Sequence, residues 1–126
     1  MIYNTNEYKI KYYKDSRTAC DPVFGYIENL DAKHRLKIRK YIEYLRSRGG
    51  YLDEPYGRHI QGKIRELRVD FSFSRHRILY FSFVDKNIVL LHAFLKKTAK
   101  TPEREIEIAI SRYNDFINNY EKYDSN

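Results

Sequence analysis

Apolar positions along this chain recur with two different periods, and each stretch predicts its own element. Lys9-Ile-Lys-Tyr-Tyr13 alternates polar with apolar residues, the two-residue period of a strand. Asp21-Pro22 starts a helix, with a carboxylate at the N-cap and proline at the first helical position, where its missing donor costs nothing. Val23, Ile27 and Leu30 form its short apolar stripe. Asp31 caps a second, longer helix in which Ile38, Tyr41, Ile42 and Leu45 fall at i, i+3, i+4 and i+7, and Gly49-Gly50 ends it. Residues 51–58, with Pro55 and Gly57, read as an irregular loop. Ile64 to Val69 is a mixed strand, and Asp70 to Ser74 a polar turn. Arg77 to Val84 and Ile88 to Leu95 are strongly apolar strands joined by the hairpin Asp85-Lys86-Asn87. A last helix runs from Pro102 toward Tyr120, with Ile106, Ala109, Ile110, Tyr113 and Ile117 on its inner face.

The order strand, helix, helix, three strands, helix predicts an α+β fold. It would hold a largely antiparallel sheet of about four strands, two N-terminal helices and one C-terminal helix, and not a doubly wound sheet. The 126 residues read as a single domain spanning 1–126, with 123–126 as a loose tail, and are enough to bury a core without disulfide or metal staples. A net charge of +7 and a pI near 9.4 call for an acidic partner, nucleic acid or an acidic protein, in preference to a small neutral ligand. Cys20 is the only cysteine, so no internal disulfide forms, which suits a reducing cytosol. The N-terminus lacks a basic region followed by an apolar run, and no stretch approaches the ~18 apolar residues of a membrane span. A cytoplasmic protein without a membrane partner is expected.

The charge is concentrated. From Arg58 to Arg104 eleven basic residues face only Glu66, Asp70, Asp85 and Glu103, an excess equal to that of the whole chain. The basic positions of the second helix (Lys33, Arg35, Lys37, Arg39, Lys40) surround its apolar stripe and read as a solvated face. Those on the strands are less ordinary. Arg65 and Arg68 point to opposite faces of their strand. Arg77 opens the most apolar strand on the same face as Leu79, Phe81 and Phe83, a position an arginine takes at a cleft or beside a carboxylate. Val89-Leu-Leu-His-Ala-Phe-Leu-Lys-Lys-Thr-Ala-Lys-Thr-Pro102 carries an apolar strand straight into Lys96, Lys97 and Lys100. His92 alternates there with Ile88, Leu90 and Phe94, so it reads equally as a half-buried core histidine or as a group at the edge of a charged site. His59 and His76 fall in expected loops and read as exposed; His34 lies on the second helix. No His or Cys spacing suits a metal, and no phosphate loop or nucleophile elbow occurs, so no metal or cofactor is expected. Such an inventory suits RNA cleavage through the ribose 2′-OH, which needs a base, an acid and positive charge but no protein nucleophile.

The run Leu91-His-Ala-Phe-Leu-Lys-Lys-Thr-Ala-Lys-Thr-Pro102 resembles the L-H-x-F-x-K-K-T-x-K-T-P signature of the HigB-like branch of the RelE/ParE toxin superfamily. Asp21-Pro22-Val23, Glu66-Leu67-Arg68, Arg77-Ile78-Leu79-Tyr80-Phe81 and Glu103-Arg104-Glu105-Ile106 extend the likeness over almost the whole chain. The resemblance implies a RelE-like fold and the toxin of a type II toxin–antitoxin module. Its partners would be a helix-turn-helix antitoxin (HigA-like), the ribosome and mRNA. It implies an endoribonuclease that leaves a 2′,3′-cyclic phosphate. By position, Arg77 matches the arginine that grips phosphate; Arg68 joins it, with His92 and Lys97 as acid–base candidates. Arg65, Lys63, Lys96, Lys100 and Arg75 would hold RNA. RelE proper uses a tyrosine on the last helix, where this chain has Glu105 and Ile106. The superfamily also contains ParE-like toxins that poison DNA gyrase without cutting RNA, and a basic RNA-binding module without catalysis would carry the same patch.

Overall fold

A computed structural model describes residues 8–124, with side chains to residue 121. Eight elements follow one another: β1 (Lys9–Tyr12), α1 (Pro22–Glu28), α2 (Ala32–Ser47), β2 (Gly57–Gln61), β3 (Ile64–Phe71), β4 (Ser74–Phe83), β5 (Asn87–Leu95) and α3 (Glu103–Asp124). The five strands form one open sheet in the order β1-β5-β4-β3-β2. Strands β2 to β5 are a continuous antiparallel meander, while β1 pairs with β5 in parallel, Lys9 opposite Asn87 and Tyr12 opposite Leu90. The fold is α+β with a mostly antiparallel sheet, as the element order predicts.

Helices α1 and α2 cover one face. Val23, Ile27, Ile38, Ile42 and Leu45 pack there on Leu67, Val69, Ile78, Tyr80, Ile88 and Leu90. Helix α3 covers the other face, where Ala109, Ile110, Tyr113, Phe116 and Ile117 meet Leu79, Phe81, Phe83, Val89 and Leu91. Both stripes follow from the helical spacing of their apolar residues. Asp31 caps α2, accepting from the His34 backbone N–H at 3.2 Å, and the left-handed Gly49 and Gly50 release the chain from it. Asp21 precedes Pro22 as expected but makes no side-chain cap bond.

Several expectations change. The supposed loop ends in a fifth strand: β2 is a polar edge, and its Arg58-His59-Ile60-Gln61 carries no apolar alternation to announce it. It turns tightly into β3 through Gly62 at φ +57°. The turn expected over Asp70 to Ser74 is only Ser72-Phe73, because β3 and β4 extend to pair Asp70 with Arg75 and Phe71 with Ser74. Helix α3 continues past Tyr120 to Asp124, so part of the expected tail is helical and residues 125–126 lie outside the described residues. The N-terminal residues 1–7, where no leader was expected, lie outside them too. No helix among the described residues is long and apolar enough to cross a membrane.

Candidate active site

Strand register assembles the charged residues on the face that α3 covers. Arg68 stands opposite Arg77, and Arg77 opposite Phe94; one step inward, Arg58 stands opposite Glu66, Glu66 opposite Leu79, and Leu79 opposite His92. Side chains directly opposite on one face are neighbours, so Arg58, Glu66, Arg68 and Arg77 form one charged block at the end of the sheet. The chain leaving β5 closes it: the Lys96 amide donates to the Arg75 carbonyl at 2.8 Å, and Thr101 Oγ1 donates to Glu66 Oε2 at 2.6 Å.

The burial of this block is unusual for its chemistry. Arg77 is 1% exposed, Lys96 5% and Glu66 0%. Charged side chains are almost never fully buried unless paired. Arg77 Nη1 donates to Asp70 Oδ1 at 2.7 Å and to the His76 carbonyl at 2.9 Å, but Asp70 is itself 62% exposed. Arg68 Nε lies 4.0 Å from Glu66 Oε1, beyond hydrogen-bond range. Arg68 Nε, Arg77 Nε and Glu66 Oε1 are all buried with no hydrogen-bond partner. Burial pushes the Lys96 ammonium below its ordinary range; Glu66 pulls the other way, and Arg77, Arg68 and Arg58 lower it further. Several cations thus surround one buried carboxylate, with only the exposed Asp70 besides, in a place partly removed from water, an arrangement suited to an anion whose oxygens take the remaining donors.

His92 sits beside this block but is fully engaged. Arg112 Nη1 donates to its Nδ1 at 3.1 Å, which leaves Nε2 to carry the proton and donate to Glu105 Oε1 at 2.6 Å. Its ring stacks on Phe94 with centroids 5.4 Å apart. Burial lowers its pKa, Glu105 opposes this, and Arg112 adds to it. A β-bulge at Leu91 brings it to this face: Leu79 pairs with His92 but Tyr80 with Leu90, so Ile88 and Leu90 face α1 and α2 while His92 and Phe94 face α3. The expected alternation with Ile88 and Leu90 therefore fails at one residue.

Of the other expected residues, Arg65 lies on the opposite face, its guanidinium 4.4 Å from the Tyr51 ring centroid and donating to the Leu52 carbonyl at 3.2 Å. Lys63 is exposed at the β2–β3 turn. Arg75, Lys97 and Lys100 are exposed at the rim, on the start of β4 and the loop after β5. Three residues had not been singled out for the site: Glu66, Arg58 and Thr101. Glu66 was visible as a carboxylate two residues from Arg68, but only the fold shows it at the centre of the cations. His76 is not in an exposed loop. It lies in β4, 2% exposed on the α1/α2 face, with Nδ1 2.8 Å from Tyr26 Oη and Nε2 2.9 Å from His34 Nδ1. Burial pushes the Tyr26 hydroxyl up to about 12 and holds the His76 pKa down. Among the described residues no cluster of three His, Cys, Asp or Glu could hold a metal ion.

A family model described as phage derived protein Gp49-like (DUF891) matches residues 25–114, a span that contains every residue of this block. The chain belongs to this family, a family of RelE/HigB-like toxins. No curated protein matches it.

Proposed function

We propose that this protein is the HigB-like toxin of a type II toxin–antitoxin module and cuts mRNA on the ribosome in the cytoplasm. The carrying observation is the pair Arg77 and Lys96, both withdrawn from water around Glu66 beside donors that no protein group accepts. In this reading Arg77 and Arg68 hold the non-bridging oxygens of the scissile phosphate, for which the planar guanidinium fork is suited. Glu66 takes the proton of the 2′-OH, whose oxygen attacks phosphorus. The P–O5′ bond breaks, and the Lys96 ammonium donates a proton to the departing 5′-oxygen. The products are a 2′,3′-cyclic phosphate and a 5′-hydroxyl. A lowered pKa makes Lys96 a better proton donor than an ordinary lysine. Each well-aimed donor is worth ~3–4 kcal/mol of transition-state stabilisation, so Arg77, Arg68 and Lys96 together supply a substantial rate without a metal ion. His92, with both nitrogens engaged, positions Glu105 and the start of α3 and leaves proton transfer to Lys96. Lys97, Lys100 and Arg75 hold the flanking backbone. The family implies an antitoxin partner, which we take to be a helix-turn-helix protein (HigA-like) that covers this basic rim.

The test is induction of wild type and Arg77→Met in cells, with growth counted and mRNA 5′ ends mapped. Growth arrest with new cuts in translated messages, absent in Arg77→Met, is the expected result. Arrest with intact mRNA and broken DNA would move the protein to the gyrase poisons, and no arrest would end the catalytic assignment.

A further inference from the structure

We infer that Phe73, at the tip of the β3–β4 hairpin, is a stacking platform for a nucleobase of the single-stranded RNA held at the site; this rests on the nuclease reading above. The side chain is fully exposed, the most exposed of the large apolar residues described. It is held out by a two-residue turn between Phe71 and Ser74, with Ser72 at φ +57° in the left-handed region. Such a first turn position ordinarily takes glycine, and the following one a small polar residue. The chain accepts a strained serine followed by a bare phenylalanine. The turn is not loose, because Phe71 anchors it: its ring lies 4.8 Å from that of His34, with Lys37 Nζ 5.3 Å away.

The tip closes the strand pair that carries Arg68, Asp70, Arg75 and Arg77. Phe73 precedes Arg77 by four residues, about 13 Å of extended chain, with Ser74 to Arg77 in β4. Between them on the site face is the row Asp70–Arg75, with the chain after β5 hydrogen-bonded alongside through Lys96 and leading to the exposed Lys97. A basic track therefore runs from the buried Arg77 and Lys96 past Arg75 and Lys97 to the hairpin tip, with Glu66 at its inner end and Asp70 along it. A cationic track for the backbone beside an exposed ring for a base is the way single strands are held without sequence readout. The charge of the track favours a polyanion over an apolar protein partner.

The chain has no tryptophan, so Phe73→Trp introduces a single fluorescent reporter. The probe is a short single-stranded RNA with 2′-O-methyl riboses, which cannot be cut through the 2′-oxygen, and the same backbone carrying abasic residues. Titration with the base-bearing RNA should quench the tryptophan and saturate at the concentration where RNA anisotropy saturates. Phe73→Ala should bind that RNA about tenfold more weakly, the loss of one stacked base, and bind the abasic RNA like wild type, with Phe73→Tyr restoring affinity. Equal binding of both RNAs by wild type and Phe73→Ala would overturn the inference and leave the nuclease reading standing. An RNA-independent emission change that grows with protein concentration would assign the tip to self-association and overturn it as well. Failure of wild type and every variant to bind RNA would overturn the inference, while the mapping of mRNA 5′ ends in cells decides the nuclease reading separately.

Discussion

Replacing Arg77 with methionine should leave the fold about as stable as before while removing activity. The guanidinium is 1% exposed, so its desolvation costs several kcal/mol in the folded state. Its return is small. The contact with Asp70 at 2.7 Å involves a carboxylate that is 62% exposed, and such screened pairs contribute about 0–1 kcal/mol. The bond to the His76 carbonyl adds about 1 kcal/mol, and Nε has no partner. Arg68 stands directly opposite, and like charges so placed repel. Methionine keeps most of the stem's packing without the charge. The net should fall between no change and ~2 kcal/mol of added stability. Urea unfolding followed by circular dichroism reads this as a shift in midpoint at constant slope. RNA cleavage should fall ~10²–10³-fold with the loss of one transition-state donor. A stability loss of ~3 kcal/mol or more, the cost of breaking a buried ion pair, would refute this and make Arg77 a structural residue.

Lys96→Met should abolish cleavage, and in wild type the alkaline limb of the rate should fall below the ordinary lysine value of 10.5, since the donor must be protonated. Arg77 is one of the charges lowering Lys96, so the residual activity of Arg77→Met should show that limb at higher pH; an unmoved limb would separate Lys96 from proton transfer. Burial holds His76 and His92 below the unfolded value of 6.5, so their contribution is complete above 6.5 and is lost as pH falls toward their folded values. The urea midpoint should therefore drop between about pH 8 and pH 5, and the His76→Gln, His92→Gln double variant should flatten that dependence. Gly25→Ala should stabilise by ~0.5–1 kcal/mol, because α1 has open space at that position. Gly50→Ala should cost ~1–3 kcal/mol, since φ is +89° and a Cβ would lie 2.6 Å from Ser82 Oγ; thermal melts of the two variants check both signs.

The elements that could be read from sequence are those whose packing leaves a period. Ile38, Tyr41, Ile42 and Leu45 announce α2, and the apolar runs after Arg77 and Ile88 announce β4 and β5, because one stripe or strand of each must be buried. Strand β2 was illegible because an edge with one face to solvent needs no apolar pattern. The parallel seating of β1 beside β5 depends on where its pairing partner lies, which local sequence does not encode. The site divides the same way. The excess of cations marked the stretch of chain that supplies the charged block, and parity put Arg65 and Arg68 on opposite faces, as they are. Parity failed at His92 because a bulge adds one residue to the strand. Which lysine of three would be buried, and that Glu66 would lie among the cations, follow from cross-strand register and from the return of Thr101, both of which are tertiary facts.

The chain order of the charged block has a consequence for synthesis. Glu66, Arg68 and Arg77 come from the middle of the polypeptide, but Lys96, Thr101 and the helix from Glu103 that backs them come from its last third. Strand β1 likewise waits, since its Lys9 partner is Asn87. Translation delivers the N-terminal side first, so a growing chain carries scattered arginines and no assembled centre. The block is complete only once Lys96 and Thr101 have left the ribosome and paired with strands made well before them.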